Sequence, residues 1–427
     1  MNKKISFKTL GCRVNLFETD ALASRFKKEG YEVVDSGEAD VFVVNTCTVT
    51  NTSDQKCRQA IHQIRRKNPN ALLVVTGCMV NHRKEELLQE GIADYVIDNE
   101  RKSAIFDIVE EHYKLGHSDP EGYDRDLFSY QPAFDTFHTR SLIKIHDGCN
   151  NFCSYCIIPM VRGRSTSRSA EDIYHNIREV VDHGFKEIVL TGVNMGRYKD
   201  GDTNFEALVE HIINIKGDFR VRVSSIEPDL FSDRFLQLFQ HEKLAPHMHI
   251  CLQSGSEDTL KRMHRFYSAA QFREMCQRIK DFRPDFNLTT DIIVGFPGET
   301  EETFQESCDF AREIGFSHIH TFKYSKRTGT KAAAMPDQVP EIEKTRRSEI
   351  MRAISLENKL KYFKRMKGAT QRMLIERIDS KGVARGYGEN YIPIQISREK
   401  LERNTFINVV LNEILNKNNE DKMVFKA

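Results

Sequence analysis

Twice along the chain, short apolar runs alternate with stretches of helical period, and that rhythm constrains the fold more than any other feature. It calls for parallel sheets flanked by helices, an α/β architecture. Over residues 1–118 the runs fall at 5–10, 31–34, 41–45, 72–76 and 95–97, with helical patterns near 15–29, 53–67, 82–90 and 101–113. A doubly wound parallel sheet is the expected first domain. Residues 119–138, with Pro120, Gly122 and Pro132, are polar and turn-rich and read as a linker. Alternation resumes over 139–366, with runs at 142–146, 187–190, 220–225, 247–252, 288–294 and 318–324. Six β/α units predict a partial (β/α)6 barrel, with its site at the carboxyl ends of the strands. A charged helical stretch at 341–366 leads into 367–427, where short strand candidates and glycine turns predict a small all-β, OB-like barrel, a shape used to hold oligonucleotides.

Chemistry concentrates just after the first barrel strand, at Cys149-Asn150-Asn151-Phe152-Cys153-Ser154-Tyr155-Cys156. Three thiolates in one loop can wrap a 4Fe–4S cluster and leave one iron open, as a substrate-binding metal requires. The alternative is zinc, with His146 as a fourth ligand. A second trio is assembled by topology. Cys12, Cys47 and Cys78 each follow a predicted strand of the first domain, in Leu10-Gly11-Cys12, Asn45-Thr46-Cys47 and Thr76-Gly77-Cys78. In a parallel sheet all three would meet on one edge, and the glycines would let the backbone turn closely around a bulky ligand. The alternative is three small core residues in tight turns. The remaining Cys57, Cys251, Cys276 and Cys308 have no partner spacing and read as packing residues. The His247/His249 and His318/His320 pairs read as core or barrel-lining side chains, with metal binding as the alternative.

Ten cysteines matter because of where the chain is expected to reside. No apolar run approaches the length of a membrane span, and the first residues lack an apolar signal core. A cytoplasmic setting keeps thiols reduced, so cysteines there serve metals or catalysis rather than a disulfide framework. The net charge of +1 leaves nucleic acid undecided, but its distribution does not. From residue 340 onward 19 Lys and Arg face 12 Asp and Glu, a basic tail on a slightly acidic body, which hints at a polyanion partner. Arg162, Arg164 and Arg168 beside the cysteine loop, and Lys367 and Arg372 at the tail, are the candidate phosphate contacts; a solvated loop and helix are the alternative.

The Cys-x3-Cys-x2-Cys spacing resembles the radical S-adenosylmethionine (SAM) superfamily. Together with Leu10-Gly11-Cys12-Arg13-Val14-Asn15, Asn45-Thr46-Cys47-Thr48-Val49-Thr50-Asn51 and Thr76-Gly77-Cys78, it makes the whole chain similar to the methylthiotransferases. The resemblance implies two 4Fe–4S clusters. Cys149, Cys153 and Cys156 would hold the catalytic one, whose open iron binds SAM for cleavage to a 5′-deoxyadenosyl radical. Cys12, Cys47 and Cys78 would hold an auxiliary one that holds or delivers sulfur. It also implies SAM contacts at strand ends, carried here by Thr191, Gly192, Asn194, Ser225, Glu227, Gln253, Asp291, Gly295 and Phe296, and a C-terminal RNA-binding TRAM domain. An electron donor such as flavodoxin or ferredoxin, a sulfur source and the tRNA anticodon stem-loop are the implied partners.

The family's branches modify N6-threonylcarbamoyladenosine or N6-isopentenyladenosine at tRNA position 37, or an aspartate of a ribosomal protein. Phe7-Lys8-Thr9-Leu10-Gly11-Cys12 and the Cys47 segment, with Asp54-Gln55-Lys56 and Arg58-Gln59, resemble the threonylcarbamoyl branch. Its substrate carries a carboxylate, so the pocket should offer Arg or Lys, whereas an isopentenyl pocket should be apolar. An RNA-binding iron–sulfur protein without catalysis is the alternative outside enzymes; the intact Cys149 loop speaks against it.

Overall fold

A computed structural model describes residues 3–35, 37–134, 139–228 and 231–427. The first domain is built from β1 (Lys4–Thr9), α1 (Arg13–Lys28), β2 (Glu32–Val34), β3 (Val41–Thr46), α2 (Asn51–Lys67), β4 (Leu72–Gly77), α3 (Cys78–Glu90), β5 (Tyr95–Ile97) and α4 (Ile105–Leu115). The sheet is parallel throughout, in the order β2-β1-β3-β4-β5. Every residue of β3 and β4 is buried, as expected of central strands covered on both faces. The order reverses between β1 and β3, which opens a crevice at the carboxyl ends of those strands. Thr50 caps α2 by accepting from the Ser53 N–H, and Gly91 and Gly116 end α3 and α4 in the left-handed conformation.

The second domain begins with β6 (Arg140–Asp147), the one-turn α5 (Ile158–Val161), β7 (Thr166–Ser167), α6 (Ala170–Asp182) and β8 (Glu187–Gly192). A short hairpin, β9 (Lys199–Asp200) and β10 (Thr203–Asn204), precedes α7 (Phe205–Ile213). Then come β11 (Arg220–Val223), β12 (Ser225–Ile226), α8 (Asp233–Leu238), β13 (His247–Ile250), α9 (Glu257–Arg262), α10 (Ala269–Phe282), β14 (Asn287–Val294), α11 (Glu301–Ile314) and β15 (His318–Lys323). The third barrel strand breaks at Ser224: β11 pairs with β8, and β12 pairs with β13. The result is an arc of six parallel strands, β6-β8-β11/β12-β13-β14-β15, the partial barrel the alternation predicts. Helices α10 and α11 start in reciprocal capping boxes, Ser268 with Gln271 and Thr300 with Thr303.

Helix α12 (Glu341–Met366) leads to β16 (Thr370–Ile378), β17 (Val383–Tyr387), β18 (Pro393–Ser397), β19 (Phe406–Val410), β20 (Glu413–Leu415) and β21 (Val424–Lys426). Their order is β19-β16-β17-β18-β21-β20, a curved strand-rich unit around Met373, Ile375, Ile394 and Phe425. It closes the barrel at the amino ends of the strands. Arg140 bonds Glu376, the Asn287 side chain donates to the Asn390 carbonyl at 2.7 Å, and the His247 ring lies 4.9 Å from that of Tyr391.

The stretch expected as a linker is packed instead. Tyr130 is buried 5.7 Å from the Phe17 ring, and the Leu127 carbonyl accepts from Lys144 at 2.9 Å. Its last residues, 135–138, lie outside the described residues. No described helix is long and apolar enough to cross a membrane.

Candidate active site: two cysteine trios

Cys12, Cys47 and Cys78 follow β1, β3 and β4 and line one cavity of about 720 Å³. Their approach depends on two glycines. A Cβ on Gly11, at φ +107°, would stand 2.7 Å from the Cys47 Cβ, and one on Gly77, at φ +102°, would stand 2.4 Å from the Thr46 carbonyl oxygen. Gly77→Ala must therefore both strain the turn and push β4 from β3, at about 1–3 kcal/mol or more. Iron analysis should find the Gly77→Ala protein short of iron at this trio and full at the other. Asn15 ties the strand ends together: its Nδ2 donates to the carbonyls of Leu10 at 2.8 Å and Thr46 at 2.9 Å. Cys57, read from sequence as packing, has a further part. Its buried sulfur accepts from the Cys47 N–H at 3.3 Å and donates to the Cys47 carbonyl at 3.4 Å, fixing the backbone at Cys47.

The second trio follows β6. Gly148 makes that loop, since a Cβ there would collide with the Arg164 carbonyl. The Cys149 N–H bonds the Gly163 carbonyl at 3.1 Å, and Phe152 takes a left-handed φ of 49° between Cys149 and Cys153. Arg265, unremarked in the sequence, donates to the Cys153 sulfur at 2.9 Å and pairs with Glu227. Burial pushes the Cys153 thiol up and the Arg265 charge opposes it; burial and Cys153 push the Cys156 thiol up to about 12. Asn194 donates from Nδ2 to the Cys149 sulfur at 3.5 Å, while its buried Oδ1 has no partner.

These donor sets fit iron–sulfur clusters. A single ion draws its ligand atoms close, yet neither trio has all its sulfurs within 4.8 Å of one another; the only described group that meets that limit is His249, Cys251 and Asp291. A cubane spreads its thiolates over a larger core. Nor does His146 complete a zinc site. Its two nitrogens meet Ser165 at 2.7 Å and the Asn194 N–H at 3.3 Å, and burial lowers its pKa to about 4.

The cofactor candidates divide. Thr191, Gly192, Ser225 and Asp291 line the cavity, the last 3.1 Å from His249. Gln253 turns at φ 69° and donates its N–H to the Asp291 carbonyl. Gly295 and Phe296 do not reach the cavity wall. The Phe296 ring is fully buried with Met263, Tyr324 and Ala332, and a Cβ on Gly295 would meet Lys344 of α12 at 2.3 Å. The turn was legible, but α12 covers it. His249, His318 and His320 do line the cavity, and Cys251 sits beside them rather than in a remote core.

The phosphate contacts expected of the arginines need correction. Arg162 is buried and belongs to an ion network between domains. It pairs with Asp147 at 2.8 Å and Glu18 at 3.3 Å, and donates to Asn15 Oδ1 at 2.6 Å. Lys102 and Lys144 join through Glu18 at 2.5 and 2.8 Å, and Lys144 also meets Asp147 at 2.6 Å. Arg168 is buried against Asn176 at 3.0 Å; Arg372 stays partly exposed, in a surface ion pair with Asp218 and 3.9 Å from the Phe406 ring, so the expectation stands for it. Arg164 and Lys367 remain exposed.

The network makes a stability prediction. Burial disfavours both carboxylates, but the cations hold Glu18 well below the usual range and lower Asp147 too. Glu18→Ala should cost about 3–5 kcal/mol, because it strands Lys102 in the interior and leaves Lys144 and Arg162 to share Asp147. Since both folded pKa values are depressed, this stability is complete above the unfolded carboxylate values of about 4 and is lost as pH falls through the folded ones. Urea unfolding of wild type against Glu18→Ala, repeated from neutral to acid pH, should show a gap that closes only in acid.

Comparison with known proteins agrees with this geometry. Residues 4–98 match the family described as Uncharacterized protein family UPF0004, and residues 143–311 match the Radical SAM superfamily. The chain is 38% identical over 405 residues to the threonylcarbamoyladenosine tRNA methylthiotransferase MtaB of Bacillus subtilis, covering 91% of this chain and 89% of that one. It is 34% identical over 389 residues to the tRNA-2-methylthio-N(6)-dimethylallyladenosine synthase of Syntrophus aciditrophicus, covering 88% and 84%. Among solved structures, the radical SAM methyltransferase TsrM of Kitasatospora setae shares the fold at 14% identity and a TM-score of 0.54, over 75% of this chain and 73% of that one. Two cysteine trios, the first of them lining the cavity, in a chain matched over nine-tenths of its length, place this protein in a family: it belongs to the MtaB-type radical SAM methylthiotransferases.

Proposed function

We propose that the protein adds a methylthio group to carbon 2 of N6-threonylcarbamoyladenosine at tRNA position 37. The observation that carries this reading is the shared cavity, with Cys12, Cys47 and Cys78 on one wall and the barrel residues Thr191, Gly192 and Ser225 on another. The match to MtaB favours the threonylcarbamoyl nucleoside over the isopentenyl one.

In this reading Cys149, Cys153 and Cys156 hold the catalytic 4Fe–4S cluster and Cys12, Cys47 and Cys78 the auxiliary one. Bound there, the clusters and SAM supply radical and sulfur chemistry. The chain's residues do the rest. Arg265 sets positive charge against Cys153, and Asn194 leaves an unpaired Oδ1 for a ligand group. The ion network around Glu18 holds one trio against the other, helped by Arg327, which reaches from beyond β15 to Asp54 at 2.8 Å and Thr48 at 2.7 Å. Exposed Arg164 lies 4.6 Å from the exposed Phe152 ring, and a guanidinium with an aromatic face suits an unstacked anticodon nucleotide. Lys367 and the C-terminal strand unit, read as a TRAM domain, would extend the RNA contact. An electron donor and a sulfur source complete the reaction in the cytoplasm.

Expression in a bacterium deprived of its own enzyme for this nucleoside should restore the 2-methylthio form in its tRNA. Restored 2-methylthio-isopentenyladenosine instead, with the threonylcarbamoyl nucleoside untouched, would move the protein to the sister activity.

A further inference from the structure

The cavity contains a cation without a counter-ion. Three basic side chains among those lining it have long reach. Arg162 is committed to Asp147 and Glu18, and Lys359 donates to the Glu420 carbonyl at 2.5 Å. Arg13 forms no ion pair or hydrogen bond among the described residues, although it lines both this cavity and the adjoining one inside the barrel. Its position is costly. It opens α1, a helix whose first turn has no acidic residue, so its charge opposes the helix dipole.

Its neighbours add to the excess. The groups that act on Arg13 are Tyr391, Arg222, Arg140 and Glu187. Glu187 is already shared, by Arg220, by Arg222 at 3.1 Å and by Arg140 at 3.6 Å. Arg140 also takes Glu376. Four guanidiniums thus share Glu187 and Glu376, and Asp421, which also lines both cavities, forms no ion pair with any of them among the described residues. Arg222 is almost fully buried, and its Nη1 is a buried donor with no partner. A buried charged donor left unbonded is expensive unless a ligand completes it.

We propose that Arg13, which lines both cavities, and Arg222, which lines the adjoining one, form a carboxylate receptor where the two cavities meet, and that it reads the threonyl carboxylate of the substrate nucleoside. The inference rests on the threonylcarbamoyl reading above. Two forked donors match a carboxylate, and an isopentenyl group would leave both unmet. Arg13 is then the specificity residue, because Arg222 is also held by Glu187 and by the Tyr391 ring 3.9 Å away.

The test uses the reconstituted full-length protein and two synthetic anticodon stem-loops, one with the threonylcarbamoyl group as the free acid and one as its methyl ester. The readout is the ratio of kcat/KM for acid over ester, which cancels differences in cluster content between preparations. Wild type should prefer the acid by about 10- to 100-fold, the worth of charge-assisted hydrogen bonds. Arg13→Gln should bring the ratio near one, and Arg13→Lys should leave it in between. An undiminished ratio in Arg13→Lys overturns the proposal even if Arg13→Gln holds no cluster. Equal losses on acid and ester would mean a backbone phosphate contact, and a raised KM for SAM with the ratio intact would mean the methionyl carboxylate; either result also overturns it. A wild-type protein inactive on the acid but active on an isopentenyl stem-loop would refute the functional reading itself, a separate outcome.

Discussion

Cys153→Ala should abolish SAM cleavage, lowering the rate by at least about 10³-fold. Groups that act as a unit lose nearly everything when one member is removed, and a cluster held by three thiolates is such a unit. Cys153 is also the sulfur that Arg265 meets at 2.9 Å, so its loss leaves a cation with only Glu227 to balance it in the loop. The assay is 5′-deoxyadenosine released by reduced protein under anaerobic conditions. Iron analysis should show one cluster's worth of iron lost and the Cys12 trio still loaded. Cleavage at a wild-type rate by Cys153→Ala would remove the catalytic assignment of this loop.

Cys47→Ala should separate the two halves of the chemistry. SAM cleavage should continue at roughly the wild-type rate, while the methylthio product falls by at least about 10³-fold. The two trios sit on different domains, and each loop is fixed by its own contacts. Cys47 is held by Cys57 and by the glycine turns of the first sheet, whereas Cys149 is held through Gly163 and Asn194 of the second domain. Loss of one ligand therefore leaves the other loop standing. If Cys47→Ala stopped SAM cleavage as completely as Cys153→Ala, the trios would not be separate centres.

How far the sequence reached depended on whether a residue's partner was near it in the chain. The two cysteine trios were legible. One is local, and the other follows from the rule that parallel strands present their carboxyl ends on one edge, which β1, β3 and β4 obey. The six barrel strands were visible as apolar runs, but β21 was not. It has three residues, and it exists because it pairs in parallel with β18 and antiparallel with β20. Arg162 was misread for the same reason. An Arg-Gly-Arg run looks like a solvated loop until Glu18, from another domain, arrives at 3.3 Å. Arg265 lies more than a hundred residues from the cysteine it supports, with no motif around it. Gly295 and Phe296 stood at a strand end, as expected, yet Lys344 of α12 lies against Gly295 and Phe296 is buried among Met263, Tyr324 and Ala332. Arg13 was quoted only as part of a motif, because its distinction is the absence of a counter-ion.

Nucleoside mass spectrometry after one anaerobic incubation tests the central claim most directly. Cluster-reconstituted protein, SAM, a reductant and a sulfur source would be mixed with tRNA bearing both N6-threonylcarbamoyladenosine and N6-isopentenyladenosine. The account predicts a methylthio group on the threonylcarbamoyl nucleoside alone. SAM cleaved in full with neither nucleoside changed, despite the added sulfur, would contradict it.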